Sequence, residues 1–225
     1  MNATVQSRQR ILDRIRTATA SVAKPAPELR DAYAALPRPY IRRGKKTVEE
    51  RIELLVERLR EYDAEVVETT PDGLPAAIAA QLGASGKHTF VAPAGLDPGF
   101  LVGGFDWKID YDLTTAQIEL TEGVVTAASC AIADSGTIVL HHTASEGRRV
   151  ITLLPDWHLC ILRRSQVVET LPEYFDRFET SPALVTWISG PSATADIEMT
   201  RIKGVHGPRF LVVILVRDEV ADGIG

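Results

Sequence analysis

Cysteine is scarce: Cys130 and Cys160 are the only two in 225 residues, and each sits inside an apolar, strand-like run. Two thiols cannot ligate an iron–sulfur cluster in the usual four-cysteine manner, nor build a cysteine-rich zinc site. Both are expected as reduced core residues, so any redox metal must belong to a partner. Long apolar runs are also missing. No stretch approaches the length needed to cross a bilayer, and Met1-Asn-Ala-Thr-Val-Gln-Ser-Arg8 lacks the charged-then-apolar layout of a secretory signal. The expected address is cytoplasmic. Absent too are the Walker loop, the Gly-x-Gly-x-x-Gly fingerprint, the Gly-x-Ser-x-Gly elbow and His-Glu-x-x-His, which leaves generic nucleotide, hydrolase and zinc-protease readings without support. Aromatic residues make up 6% of the chain, too few among the basic residues to suggest a nucleic-acid surface.

With 45% hydrophobic residues the chain can bury a full core, as one domain or as one domain with an appendage. Its net charge of −5 hides an asymmetry. Residues 1–60 hold 14 Lys/Arg and 7 Asp/Glu and carry +7, whereas residues 61–225 carry −12. A basic N-terminal portion on an acidic body invites docking, within the chain or onto a partner. Two divisions are expected: a helical and proline-rich extension over 1–46 and an α/β domain over 47–225.

Hydrophobic periodicity predicts a first helix over 5–20 and a proline-rich arm over 23–46 with a short helix near 29–35. Thr47-Val-Glu-Glu50 fits a capping box opening a helix whose Ile52, Leu55, Val56 and Leu59 form a core face. Strand and helix signals then alternate: strand 65–68, helix 74–82 and strand 88–92, followed by a Gly/Pro-rich loop over 93–104 and a short helix from Thr114 to Leu120. Strands near 123–126, 130–133 and 137–141 follow too closely for intervening helices, which implies a hairpin-like insertion. Strand 158–162, a capping box at Thr170-Leu-Pro-Glu173, and the apolar runs 184–189 and 210–216 complete the pattern. No internal repeat appears. The expected class is α/β, with a mixed sheet and a helical N-terminal extension.

Four places could carry chemistry. Ala131-Ile-Ala-Asp-Ser-Gly-Thr137 puts Asp134, Ser135, Gly136 and Thr137 at a tight turn whose backbone N–H groups and carboxylate suit an oxyanion or phosphate contact; the same residues also suit a plain hairpin turn. His158 closes Pro155-x-x-His and could act as a general base or hydrogen-bond a ligand, although a lone histidine at a strand edge is also a common structural residue. Adjacent His141 and His142 would point to opposite faces of a strand, so they cannot share a metal. The stretch from Gly190 to Pro208 places Ser192, Thr194, Asp196, Glu198 and His206 after an apolar strand. Such a loop resembles the ligand-binding mouth of an α/β sheet, although turn and cap chemistry would use the same residues.

Read together, Ala131 to Leu140, Arg149-Val-Ile-Thr-Leu-Leu-Pro-Asp-Trp-His158, Gly190-Pro-Ser-Ala-Thr-Ala-Asp196 and Gly204-Val-His-Gly-Pro208 resemble the lactate utilization protein C family, the LUD domain, across roughly residues 47–217. The resemblance implies a Rossmann-like α/β sandwich similar to the NagB/RpiA/CoA transferase-like fold. It also implies a part in oxidising L-lactate to pyruvate beside partner proteins that carry the iron–sulfur clusters, with no cofactor in this chain. One cleft holding a small anionic ligand would then be lined by Asp134, Ser135, Gly136, Thr137, His158, Gly190, Ser192, Thr194, Asp196 and His206. Asp134 stands where the family usually has Glu, and Asp156 where a second Pro is common. The carboxylate of Asp134 reaches one methylene less far, which suits ligand binding better than covalent attack on a thioester. A stand-alone enzyme for an acyl-CoA, sugar phosphate or folate-like substrate is the alternative, and a pure assembly module with an empty cleft is a third.

Overall fold

The computed structural model describes residues 3–19, 27–37, 39–178, 180, 182–194, 202–204 and 207–218. It divides into two compact units, residues 1–40 and 41–225. The first contains helix α1 (Ala3–Thr19) and helix α2 (Pro27–Ala34). Proline at the start of α2 is tolerated because the first turn leaves its N–H groups unpaired in any case.

The second unit opens with α3 (Val48–Glu61). Thr47 and Glu50 form the reciprocal capping box, and Ile52, Leu55, Val56 and Leu59 are buried along one stripe. Fully burying side chains such as Leu55 and Leu59 contributes about 2 kcal/mol each. Strand β1 (Glu65–Thr69), helix α4 (Leu74–Ala84), strand β2 (Thr89–Pro93), strand β3 (Asp106–Asp110), helix α5 (Thr115–Glu119) and strand β4 (Gly123–Ala127) follow. Next come β5 (Cys130–Ile132), β6 (Thr137–Leu140), β7 (Trp157–Arg163), β8 (Val167–Val168), helix α6 (Leu171–Arg177), β9 (Thr186–Ile188), β10 (Ala193–Thr194), β11 (Ile202–Lys203) and β12 (Phe210–Val216).

Six strands form one sheet in the order β1-β12-β7-β4-β2-β3, with every neighbouring pair parallel. Parallel strands covered on both faces read as unbroken apolar runs, and β12 (Phe-Leu-Val-Val-Ile-Leu-Val) is the clearest case. Leu211, Val213 and Leu215 pack on one face with α3, while Val212, Ile214 and Val216 pack on the other with α4. The mixed character expected of one sheet belongs instead to a second, four-stranded sheet ordered β8-β5-β6-β9, in which β5 and β8 run parallel and the other pairs antiparallel. Ala131, Ile138 and Leu140 of this sheet share the α3 side of the core. The close succession of strands after β4 is therefore an insertion that adds a layer, with β5 and β6 joined through the Asp134 turn.

Strand β3 lies between the loop expected over 93–104 and the helix expected from Thr114, where the sequence pattern assigns no element. Asp-Trp-Lys-Ile-Asp alternates charge with apolar bulk because it is the sheet's edge, where one side of each pleat meets water. Capping boxes hold α5 through Thr114 and Gln117, and α6 through Thr170 and Glu173. Residues 41–46 belong to the second unit: Gly44 N donates to Glu173 Oε1 at 3.0 Å, Lys46 N to Glu169 Oε2 at 2.7 Å, and Thr170 Oγ1 to Arg42 O at 3.3 Å. No helix among the described residues is long and apolar enough to cross a membrane.

Candidate functional site: a cleft at the amino edge of the parallel sheet

Strand register sets the site. His158, second residue of β7, lies between Leu211 of β12 and Val124 of β4, so it stands where these parallel strands begin. The chain leaving β9 returns over this edge before entering β12. Ser192 N donates to Pro208 O at 2.8 Å and Gly204 N to Ser192 O at 2.9 Å, and β10 pairs with β11, so residues 192–194 and 202–204 form a short ribbon. Between ribbon, sheet and β9 is a cavity of about 260 Å³ lined by Arg149, Thr152, His158, Ser189, Gly190, Ser192 and Leu211, among others. Open α/β sheets usually bind ligands outside the carboxyl ends of their strands. This loop precedes β12, which puts it at the opposite end.

His158 is 1% exposed and its Nε2 lies 2.8 Å from Thr126 Oγ1. Burial, and then the positive charge of Arg149, push its pKa from the ordinary value down to about 3. The ring is neutral at physiological pH, so it can exchange hydrogen bonds but offers no charge to an anion. The cation in the cleft is Arg149. Its Nη1 donates to Thr152 O at 2.9 Å and Thr152 Oγ1 at 3.0 Å, and it forms no ion pair with a carboxylate among the described residues. Burial lowers its pKa. Sequence reasoning passed over Arg149 as part of a turn. The available signal was its place at the head of the Arg149-to-His158 motif.

The loop before Arg149 is braced from within. Glu146, 1% exposed, accepts from His141 N at 2.5 Å, Thr143 N at 3.3 Å and the Ser129 hydroxyl. His141 and His142 lie beyond β6 rather than on it, and His142 has φ +56, so the strand argument about their faces does not apply. His141 Nε2 meets the Tyr174 hydroxyl at 2.8 Å; His142 Nε2 meets Thr186 Oγ1 at 2.8 Å. Each ring is occupied in tying the second sheet together.

Of the residues singled out from sequence, His158, Gly190 and Ser192 line the cleft together. Thr137 joins them indirectly: its Oγ1 lies 2.8 Å from Ser189 Oγ and 2.7 Å from Ser135 Oγ, a hydroxyl chain running from the turn to the cavity wall. Gly136, at φ +60, packs against Arg58 and Leu59 of α3. Asp134 is exposed, away from the cavity lining, with its backbone N–H bonded to Glu169 O at 3.0 Å. Burial and the neighbouring Glu169 raise its pKa, opposed by Lys46. Thr194 enters through its backbone, paired with Ile202. Asp196, Glu198 and His206 lie outside the described residues.

A second crevice, about 420 Å³, opens at the carboxyl ends of β2 and β3 beside Gly95, Asp110, Tyr111 and His142. Arg148 and Arg149 both line it, and the Arg148 fork grips Asp110 through Nε at 2.9 Å and Nη2 at 2.5 Å. Arg149 lines both openings, but its Nη1 is bonded to Thr152, which with His158 lines the amino-edge cleft and not this crevice, so the tip of its guanidinium belongs with the amino-edge cleft. Neither cavity offers a thiolate. Cys130 and Cys160 are buried and unpaired, and burial pushes their thiols up to about 11 and about 12, so this donor set does not fit an iron–sulfur cluster.

Comparison with known proteins places this architecture. Residues 44–216 match the LUD domain. The chain is 39% identical over 164 residues to a protein of Deinococcus radiodurans named Lactate utilization protein C, covering 71% of this chain and 76% of that one. A Bacillus pumilus protein of the same name is 30% identical over 199 residues, covering 78% and 82%. Among solved structures, a duf162 family protein from Deinococcus radiodurans superposes with a TM-score of 0.66 at 32% identity, over 76% of this chain and 99% of that one.

Proposed function

The chain belongs to the LUD domain family, and on that premise we propose that it serves lactate utilization as the non-metal subunit of a system oxidising L-lactate to pyruvate. The cleft at the amino edge holds the small carboxylate, and iron–sulfur proteins docked on this subunit take the electrons. The observation that carries the reading is Arg149: a half-buried guanidinium with no carboxylate partner among the described residues, beside a neutral histidine, in a cavity of metabolite size. A carboxylate would accept the forked hydrogen bonds that Arg149 leaves unused. His158, fixed by Thr126, is placed to hydrogen-bond the hydroxyl or carbonyl of the same ligand. The basic N-terminal portion supports docking on a partner, and the chain's own two buried thiols support placing the clusters elsewhere.

Thermal unfolding with L-lactate, pyruvate or sodium chloride at matched ionic strength tests the ligand. A ligand held only by the folded state stabilises by about 2.7 kcal/mol at a hundredfold excess over its Kd, so either carboxylate should raise the Tm. Arg149→Gln should weaken that binding roughly ten- to a hundredfold, the range of a charge-assisted contact. Equal stabilisation by chloride, or by lactate in the variant, would overturn the carboxylate site. Affinity capture of the native protein with iron analysis tests the assembly: co-purifying iron-bearing proteins are expected, and lactate turnover by the purified chain alone would replace the subunit reading with a stand-alone enzyme.

A further inference from the structure

The opposite end of β7 carries a second cluster of charge. Arg164 follows that strand, Arg51 projects from α3 and Arg177 ends α6, and the three line one cleft of about 120 Å³ together with Val48 and Val168. The Nε atoms of Arg51 and Arg164 are both buried without a hydrogen-bond partner. Buried guanidinium N–H groups rarely go unmatched, because an unmade hydrogen bond forfeits the solvation that burial removed. The remaining contacts are few. Arg51 Nη1 reaches Val167 O at 3.4 Å, Arg177 Nη1 reaches Ser165 O at 3.0 Å, and Arg164 Nη2 stands 3.6 Å from an exposed Glu49 carboxylate. Ser165 is committed elsewhere, to Asp218.

We propose that this cleft is a binding site for a phosphate dianion, inorganic or borne by a small phosphorylated molecule. Three guanidinium groups meet here, and among the described residues the carboxylates beside them are Glu49, 3.6 Å from Arg164, and Asp218, held on Ser165, so the cluster keeps a positive charge that a phosphate group complements. Three forked guanidinium groups converging on one small cleft suit the tetrahedral oxygens of one phosphoryl group. The cavity accepts that group and leaves any organic remainder in solvent. The site is distinct from the cleft at His158: six residues of extended chain separate His158 from Arg164, about 20 Å. It also lies at the carboxyl end of β7, the end of a parallel sheet where anion sites usually form.

Line broadening in phosphorus NMR of the wild-type chain reads the site directly, with inorganic phosphate and glycerol phosphate as probes and acetate as competitor. Broadening that acetate fails to reverse is expected. Binding of glycerol phosphate at least as tight as inorganic phosphate assigns the site to a phosphorylated metabolite; preference for inorganic phosphate assigns it to the free ion. Arg51→Gln and Arg164→Gln should each weaken binding roughly tenfold or more, while Arg149→Gln leaves it unchanged. Absence of broadening in the wild-type protein, reversal by acetate, or loss of binding in Arg149→Gln alone would overturn the proposal.

Discussion

His158 shows how far one residue's surroundings redirect its chemistry. From the sequence it could be a general base; in the structure it is neutral and hydrogen-bonded to Thr126. A consequence follows for stability. Its folded pKa of about 3 lies below the unfolded value of about 6.5, so between those values the unfolded chain binds more protons. The stabilisation contributed by neutral His158 is complete above about pH 6.5 and declines as pH falls towards about 3. Chemical denaturation across that window should show wild-type stability falling more steeply towards acid than that of His158→Gln. Parallel curves would show that the ring titrates normally in the folded state. Arg149 was not legible in the same way. Its importance lies in lacking a carboxylate partner among the described residues, and a missing partner is a property of three-dimensional surroundings.

At the scale of elements, short-range physics was easy to read. The Thr47–Glu50 and Thr170–Glu173 capping boxes, the apolar stripe of α3 and the uninterrupted apolar β12 all formed within a residue or two of their expected positions. Strand β3 and the two-residue strands β8, β10 and β11 were missed, because an edge strand keeps its polar alternation and a two-residue bridge has no period to detect. Glycine chemistry divides along the same line. Gly86, at φ +67 with nothing near its would-be Cβ, answers only to local conformation. Gly190, at φ +82, would drive a Cβ to 2.5 Å from Tyr62 Cβ. Gly86→Ala should cost about 1 kcal/mol of backbone strain, whereas Gly190→Ala should cost about 2–4 kcal/mol, because overpacking adds to strain. Urea denaturation of both variants checks this. Equal losses would mean that the Tyr62 contact yields freely.

At the scale of the molecule, every hydrophobic cluster of the core draws on residues from Val48 to Val216. A chain beginning at Ile41 should therefore fold with a single cooperative transition. One beginning at Thr47 should be less stable by about 2 kcal/mol or more, because it loses the backbone donors of Gly44 and Lys46 to Glu173 and Glu169. Thermal denaturation of the two truncations separates these outcomes; identical midpoints would show that water replaces those donors without loss.

The sequence by itself determined the α/β alternation, the helix starts and the apolar strands, since periods of 2 and 3.6 residues and capping contacts act over a few positions of chain. It also supplied the motifs by which the family resemblance was seen. Only the tertiary structure decided that residues 190–193 and 207–208 line a cleft at the amino edge of the sheet, that Asp134 stays on the exposed turn, and that Arg149 has no carboxylate partner among the described residues. It alone brought together Arg51, Arg164 and Arg177 from three separate elements. Strand order and register place these groups, and both arise from contacts between residues far apart in the chain, where no local pattern records the outcome.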